Sequence, residues 1–221
     1  MVSEVRNKHA TRSALTRQLF IETAQRMFAD RSIDSVSLNE ITVAAGQKNR
    51  NALQYHFDDR EGLLQAIIDS HAQRVQVLRQ NRVDTLSNKN LSAAAAAARA
   101  LVNPIADYVE ENEAGSYYVK ILSQMAALNS SIVNPSTRSG LVFHTDERLA
   151  ALMREAVAHL KPAEAQRRMF LTVSITFHSI ADICRASESK DTSLNLKQRS
   201  ALFDQVALSI ESLLGAPAQT R

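Results

Sequence analysis

The chain has 221 residues, a formal net charge of +3, 45% hydrophobic residues and a single cysteine, Cys184. That length can bury a full core, as one extended helical unit or as two domains in close contact. So mild a basic balance excludes a protein that coats nucleic acid by charge alone and leaves room for a local footprint. One cysteine excludes an internal disulfide and sets the cytoplasm as the expected compartment, and no apolar run approaches the ~20 residues of a membrane span.

At the N-terminus, Arg6, Lys8, His9, Arg12 and Arg17 face only Glu4 as an acid. Residues 1–13 therefore read as a flexible basic arm. Such an arm can enter a minor groove, or it is simply a disordered charged terminus. The first residues are polar and hold no hydrophobic segment, so no secretion signal is expected.

The most informative stretch begins at Val36. Ser37 and Glu40 stand at capping-box spacing, while Val36 and Ile41 stand at the spacing of a hydrophobic staple, which marks a helix start twice. Ile41, Ala44 and Ala45 give that helix an apolar side with small residues, and Gly46 has the backbone freedom to end it. A second helix is expected to follow, carrying Gln47, Lys48, Asn49, Arg50, Asn51 and Gln54 without a carboxylate, with Leu53 and Phe57 turned to the core. Amides pair bidentately with adenine and guanidinium with guanine, and Lys48 or Arg50 can equally hold a phosphate. For any one of these residues an ordinary solvated turn is the simpler account. A capped helix, a glycine turn, an acid-free amide-rich helix and the Tyr55-His56-Phe57 ending in one window point together to a helix-turn-helix that binds DNA.

At these residues the chain resembles the N-terminal domain of TetR/AcrR-type one-component transcriptional regulators. The resemblance covers roughly residues 14–75. It rests on an Ala-rich helix like Phe20-Ile21-Glu22-Thr23-Ala24-Gln25-Arg26-Met27-Phe28-Ala29 and on Ile41-Thr42-Val43-Ala44-Ala45-Gly46. Two further parts complete it: the ending Leu53-Gln54-Tyr55-His56-Phe57 and the following helix start Asp59-Arg60-Glu61-Gly62-Leu63-Leu64. It implies an all-α fold: an N-terminal three-helix helix-turn-helix DNA-binding domain over residues 14–60, then a helical ligand-binding and dimerisation domain over residues 61–221. It also implies that Ser37 and Asn39 touch DNA from the first helix, that Lys48 through Gln54 face the groove, and that Tyr55, His56 and Arg60 meet phosphates. Two features depart from the commonest family pattern: the stretch between Gly46 and Tyr55 is one residue longer, and Gln54 stands where a tyrosine is frequent.

Beyond the motif the period is helical almost throughout. Leu64, Ile67, Ile68, His71, Val75 and Leu78 predict a long helix from about Asp59 to beyond Leu78, a rigid link out of the head. Residues 83–91 read as a loop. Ser92 caps a helix whose six alanines, Ala93 to Ala98, are either filler or a place where helices approach closely. Pro104 is expected to kink or end that helix near Asn103, and Gly115 marks another break. Further helices are expected over residues 117–128, 146–160, from Pro162, and over 196–214, with loops at Asn134-Pro135 and Ser139-Gly140.

The last two helices carry apolar residues on more than one side, including Phe170, Val173 and Phe177 on one and Leu202, Val206, Ile210 and Leu213 on the other. Regulators resembling TetR dimerise through their last two helices as a four-helix bundle, and these residues suit a homodimer; alternatively they pack within the monomer. Polar groups that interrupt apolar stripes are the candidate effector contacts: Tyr108, Tyr117, Tyr118, Gln124, Asn129, His144 and His178. Each can equally be a satisfied core or surface residue, and His178 stands four residues from Asp182, with which it can hydrogen-bond. The aliphatic surroundings suit a small apolar or amphipathic effector.

An enzyme is poorly supported. There is no Gly-x-Ser-x-Gly elbow, no glycine-rich phosphate loop and no His-Glu-x-x-His, and the six histidines show no metal-ligand spacing, so neither cofactor nor metal is expected. A helical adaptor whose helix-turn-helix meets protein would need an apolar second helix, which Lys48 to Asn51 do not offer. The expected function is a sequence-specific regulator, a repressor released from a palindromic operator by a small molecule.

Overall fold

The computed structural model describes residues 2–49, 51–87, 89–128, 141, 146–189 and 195–218, with the backbone alone for residues 2–9, 87, 127, 128, 196 and 197. Among these the regular structure is entirely helical: α1 (Val2–Asp30), α2 (Leu38–Ala44), α3 (Ala52–Phe57), α4 (Arg60–Ser87), α5 (Ala93–Glu111), α6 (Glu113–Leu128), α7 (Glu147–Ala156), α8 (Pro162–Glu188) and α9 (Leu196–Gly215). The chain divides into two compact units with the boundary between Ser70 and His71, inside α4 and further along it than residue 60.

The first unit has a largely apolar heart. Phe20, Ile21, Ala24 and Phe28 of α1 recur at helical spacing and are buried with Ile33, Val36, Ile41, Leu53, Phe57, Leu63, Ile67 and Ile68. Phe20 and Phe57 meet edge to face at 6.2 Å. The basic arm expected over residues 1–13 is instead helical from Val2, continuous with the rest of α1. Nothing between Val2 and Asp30 breaks a helix, since the stretch holds neither glycine nor proline.

In the second unit α5 is the central helix. Ala94, Ala95, Ala97, Ala98 and Ala100 are buried, so the alanine run serves close approach; the Ala94 methyl lies 3.3 Å from where a Cβ on Gly215 of α9 would stand. Pro104 does not end α5, which runs on to Glu111. A proline at position 104 leaves the Ala100 carbonyl without its helical N–H, and the Arg79 guanidinium of α4 supplies the missing donor through Nε at 3.3 Å. The chain breaks at Asn112 instead, whose backbone is extended and whose side chain accepts from the Gly115 N–H at 3.0 Å.

Residues 83–87, expected in a loop, continue α4 because Val83 and Leu86 are buried against Ala100. α7 stops at Ala156 rather than near Leu160, with turns over residues 157–159. α8 opens with Pro162 in its first turn and α9 with an Asn195–Gln198 capping box. At the far end of α9 the buried Arg168 of α8 donates to the carbonyls of Leu213, Ala216 and Pro217 and pairs with Glu164 at 2.6 Å. Those of Leu213 and Ala216 are among the carbonyls that the end of a helix leaves without N–H partners. The loops expected at Asn134-Pro135 and Ser139-Gly140 lie outside the described residues.

Candidate nucleic-acid interface

The capping box at Ser37 forms in full. The Glu40 N–H donates to Ser37 Oγ at 3.2 Å, and Glu40 Oε2 accepts from the Ser37 N–H at 2.7 Å. The Ser37 backbone N–H and the Arg31 guanidinium, 2.9 Å away, hold the Glu40 carboxyl down at about 2. The one acid of this helix is thus bound up at its start, leaving Ser37 and Asn39 exposed beside it.

α2 ends in a Schellman motif. Gly46 is left-handed at φ 66°, its N–H donates to the Val43 carbonyl at 2.9 Å, and the Gln47 N–H donates to the Thr42 carbonyl at 3.0 Å. The Gln47 side chain folds back to the Ala45 carbonyl at 3.3 Å.

The second helix is shorter than its composition predicts. Gln47, Lys48, Asn49 and Asn51 precede α3, and among the expected DNA contacts only Gln54, Tyr55 and His56 lie on it. The cause is local: Asn49 Oδ1 accepts from the Asn51 N–H at 3.0 Å, and the Ala52 N–H donates to the Asn49 carbonyl at 3.1 Å, so the asparagine side chain offers the backbone a turn in place of a helix. Arg50 lies outside the described residues. Lys48, Asn49, Asn51 and Gln54 are exposed, as is Tyr55 at 83%. From Ile41 to Phe57 the sequence holds no carboxylate.

His56 is set deeper. Its ring stands 5.3 Å from Tyr55 and 6.0 Å from Phe20, and burial, then the charge of Arg17, pushes its pKa below the ordinary value. A neutral imidazole offers one N–H donor to a phosphate rather than a charge. Arg60, expected to meet a phosphate, is engaged within the first unit. Its Nη1 donates to the carbonyls of Ile33 and Val36, the latter at 2.8 Å, and its guanidinium lies 6.0 Å from the Phe28 ring centroid. It ties the α1–α2 turn to the start of α4.

That start is also where sequence reading missed a requirement. A Cβ on Gly62 would lie 2.0 Å from the Phe57 carbonyl oxygen, so the first turn of α4 can approach the end of α3 only with glycine there. Between them Asp58 has φ 61°, a conformation uncommon for a residue with a side chain, and Asp59 Oδ1 caps α4 by accepting from the Gly62 N–H at 2.9 Å.

Of the candidate effector contacts, Tyr108 and Tyr118 come together, with His71 of α4 between them. His71 stacks on Tyr118 at 4.5 Å and its Nδ1 lies 2.6 Å from Tyr108 Oη; burial holds its pKa down at about 4. Its place on an apolar stripe was visible, and its aromatic partners, 37 and more positions away, were not. Tyr117 is elsewhere, donating to Glu113 at 2.7 Å, and Gln124 and His178 are half-buried. Asp182 pairs with Arg185 at 2.7 Å. Asn129 and His144 lie outside the described residues. On α8 and α9, Val206 and Ile210 are buried in the chain's own core, Phe177 packs against it, Phe170, Val173 and Leu213 are half-buried, and Leu202, Leu171 and Leu208 are exposed. Of the seven residues expected at a dimer interface, Val206 and Ile210 are thus covered within the chain, and Leu171 and Leu208 add exposed apolar surface on the same two helices.

Among the described residues no helix is long and apolar enough to cross a membrane. No curated protein matches the chain. Similar solved structures include a gamma-butyrolactone receptor described as ArpA-like (19% identity, 90% of this chain and 98% of that one, TM-score 0.47). A TetR-like transcriptional regulator from Rhodococcus sp. RHA1 is another (17% identity, 91% and 94%, TM-score 0.47). RolR in complex with resorcinol is a third (18% identity, 96% and 98%, TM-score 0.44). Residues 20–67, which run from the first buried phenylalanine of α1 to the first turns of α4, match the family model of bacterial regulatory proteins, tetR family. The helix-turn-helix lies within that match, so residues 20–67 are similar to the N-terminal domain of bacterial regulatory proteins of the tetR family.

Proposed function

We propose that this chain is a cytoplasmic, homodimeric, sequence-specific transcriptional repressor that leaves a palindromic operator when a small apolar or amphipathic effector binds its second unit. The observation that carries the DNA reading is the exposed, carboxylate-free surface of Lys48, Asn49, Asn51, Gln54 and Tyr55 beside an α2 whose one acid is already paired. Gln54, Tyr55 and the Lys48–Asn51 turn enter the major groove, with Arg50 among the base contacts. Ser37, Asn39 and the neutral His56 take phosphates, and Arg60 acts from behind by fixing the helices relative to each other.

Two copies would associate through the outward residues of α8 and α9, Phe170, Leu171, Val173, Leu202 and Leu213, placing two heads about 34 Å apart or somewhat more. The effector would sit where His71, Tyr108 and Tyr118 meet; to release DNA it must bind the released state better, and a coupling of ~1 to 3 kcal/mol changes affinity about 5- to 150-fold. The test is selection of bound duplexes from a random pool by the purified chain at physiological salt. An enriched palindrome supports the reading, and a folded, effector-free protein that enriches nothing contradicts it.

A further inference from the structure

In the first unit residues 5–21 and residues 41–57 hold no carboxylate, and the two stretches meet where Arg17 of α1 lies over the Phe57 ring at 5.0 Å. The second stretch is the reading surface described above. The first is the N-terminal part of α1, and residues 10–15 and 17–19 of it are exposed. Side chains three and four apart share a helix face, so the stripe Phe28, Ala24, Phe20 that α1 buries continues N-terminally as Arg17, then Ser13 and Ala14, then Ala10. The stripe changes from large apolar residues to a guanidinium, a hydroxyl and two methyls once α1 passes the edge of the core.

We infer that this N-terminal half of α1 is a second DNA contact, in which Arg17 holds a phosphate flanking the half-site and the small residues Ser13, Ala14 and Ala10 let the DNA backbone lie close against the helix. The Ser13 hydroxyl is a further donor on that side. The inference rests on the DNA reading proposed above and extends it to an element outside the helix-turn-helix. Charge selects the occupant: residues 5–21 hold Arg6, Lys8, Arg12 and Arg17 and no acid, and Arg17 stands on the stripe itself while Arg12, three residues before Leu15, adds its charge from the far side, so a polyanion is the partner such a helix attracts. Arg17 is close enough to His56 for its charge to act on that ring, so the two groups can hold one stretch of backbone. The opposite side of the helix, where Leu15 is exposed, makes no contact with the DNA.

The test compares variants of the full chain on the selected duplex, with flanking base pairs retained, over a range of salt. Ser13→Glu and Leu15→Glu add the same charge at exposed positions on opposite sides of α1. Ser13→Glu should weaken binding about 3- to 10-fold, alike on all sequence variants of the site, and Leu15→Glu should leave it unchanged. Arg17→Gln should reduce the slope of log affinity against log salt by about 0.9, and Arg17→Lys should restore it. Equal effects of Ser13→Glu and Leu15→Glu, or an unchanged slope in Arg17→Gln, overturn the inference while leaving the helix-turn-helix reading intact. A wild-type chain that binds no duplex overturns both.

Discussion

The two units of this chain handle their polar groups in opposite ways. In the first, the buried residues are apolar apart from Thr23, Gln25 and Thr42, and the charged and amide side chains around Gly46 lie outside. In the second, His71, Lys120, Glu164 and Arg168 are buried together with Ser116, Ser123, Thr172 and Thr176. Each of the charged ones has a partner: Lys120 meets Glu188, which also accepts from Ser116, and Arg168 closes the end of α9. A buried charge is tolerable only when paired and hydrogen-bonded, so these partners fix which helices can sit side by side. The first unit is a small apolar block that carries an exchangeable polar surface. The second is held in register by specific polar contacts that a proton can disturb.

The contrast can be broken most forcefully at the rigid joint of the first unit. Gly62→Ala forces a methyl against the Phe57 carbonyl, and because that atom is backbone the cost should be about 3 kcal/mol or more, read as a lowered denaturation midpoint. A cost under about 1 kcal/mol would mean that the approach of α4 to α3 is slack.

In the second unit the buried imidazole is the weak point. His71 has its pKa lowered from 6.5 to about 4, so the unfolded chain takes up a proton that the folded chain excludes. The stability from this group is complete above the unfolded value and is lost as pH falls from 6.5 through 4, by about 3 kcal/mol in all. Urea midpoints at neutral and mildly acidic pH should show that loss, and His71→Gln should flatten it. The Glu40 contribution is lost only at lower pH, as its carboxylate protonates between 4.5 and about 2.

Next in size is the proline inside α5. Arg79→Met leaves the Ala100 carbonyl unpaired and should cost about 1 to 3 kcal/mol. In a Pro104→Ala background, where a backbone N–H returns to that carbonyl, the same change should cost less. Strict additivity of the two substitutions would show that Arg79 does not stand in for the missing donor. Smallest is the cap of α2: Ser37→Ala should cost about 1 kcal/mol, and an unaltered melting temperature would show that the capping box is idle.

The same division governs what was legible in the residues alone. The helix-turn-helix rests on partners three to six positions apart, such as Ser37 with Glu40 and Gln47 with Thr42, and spacing reveals those. In the head, spacing did not reveal that the Asn49 side chain shortens α3 or that Arg60 donates inward to Ile33 and Val36. In the second unit helix periodicity was readable, but the partners are remote. Pro104 looked like a break because its remedy lies on α4, and Lys120 gave no sign of burial because Glu188 is 68 positions away. The N-terminal arm looked flexible because charge pattern says nothing against a helix that lacks breakers.

The most direct test of the central claim is the affinity of the full chain for the selected duplex when Gln54→Ala is compared with wild type across single-base variants of the site. Gln54 is exposed and on α3, so its loss leaves the fold intact. The account predicts a loss of about 1 to 3 kcal/mol confined to one base position of each half-site. A loss spread evenly over all variants, or none at all, would contradict the claim that this surface reads sequence.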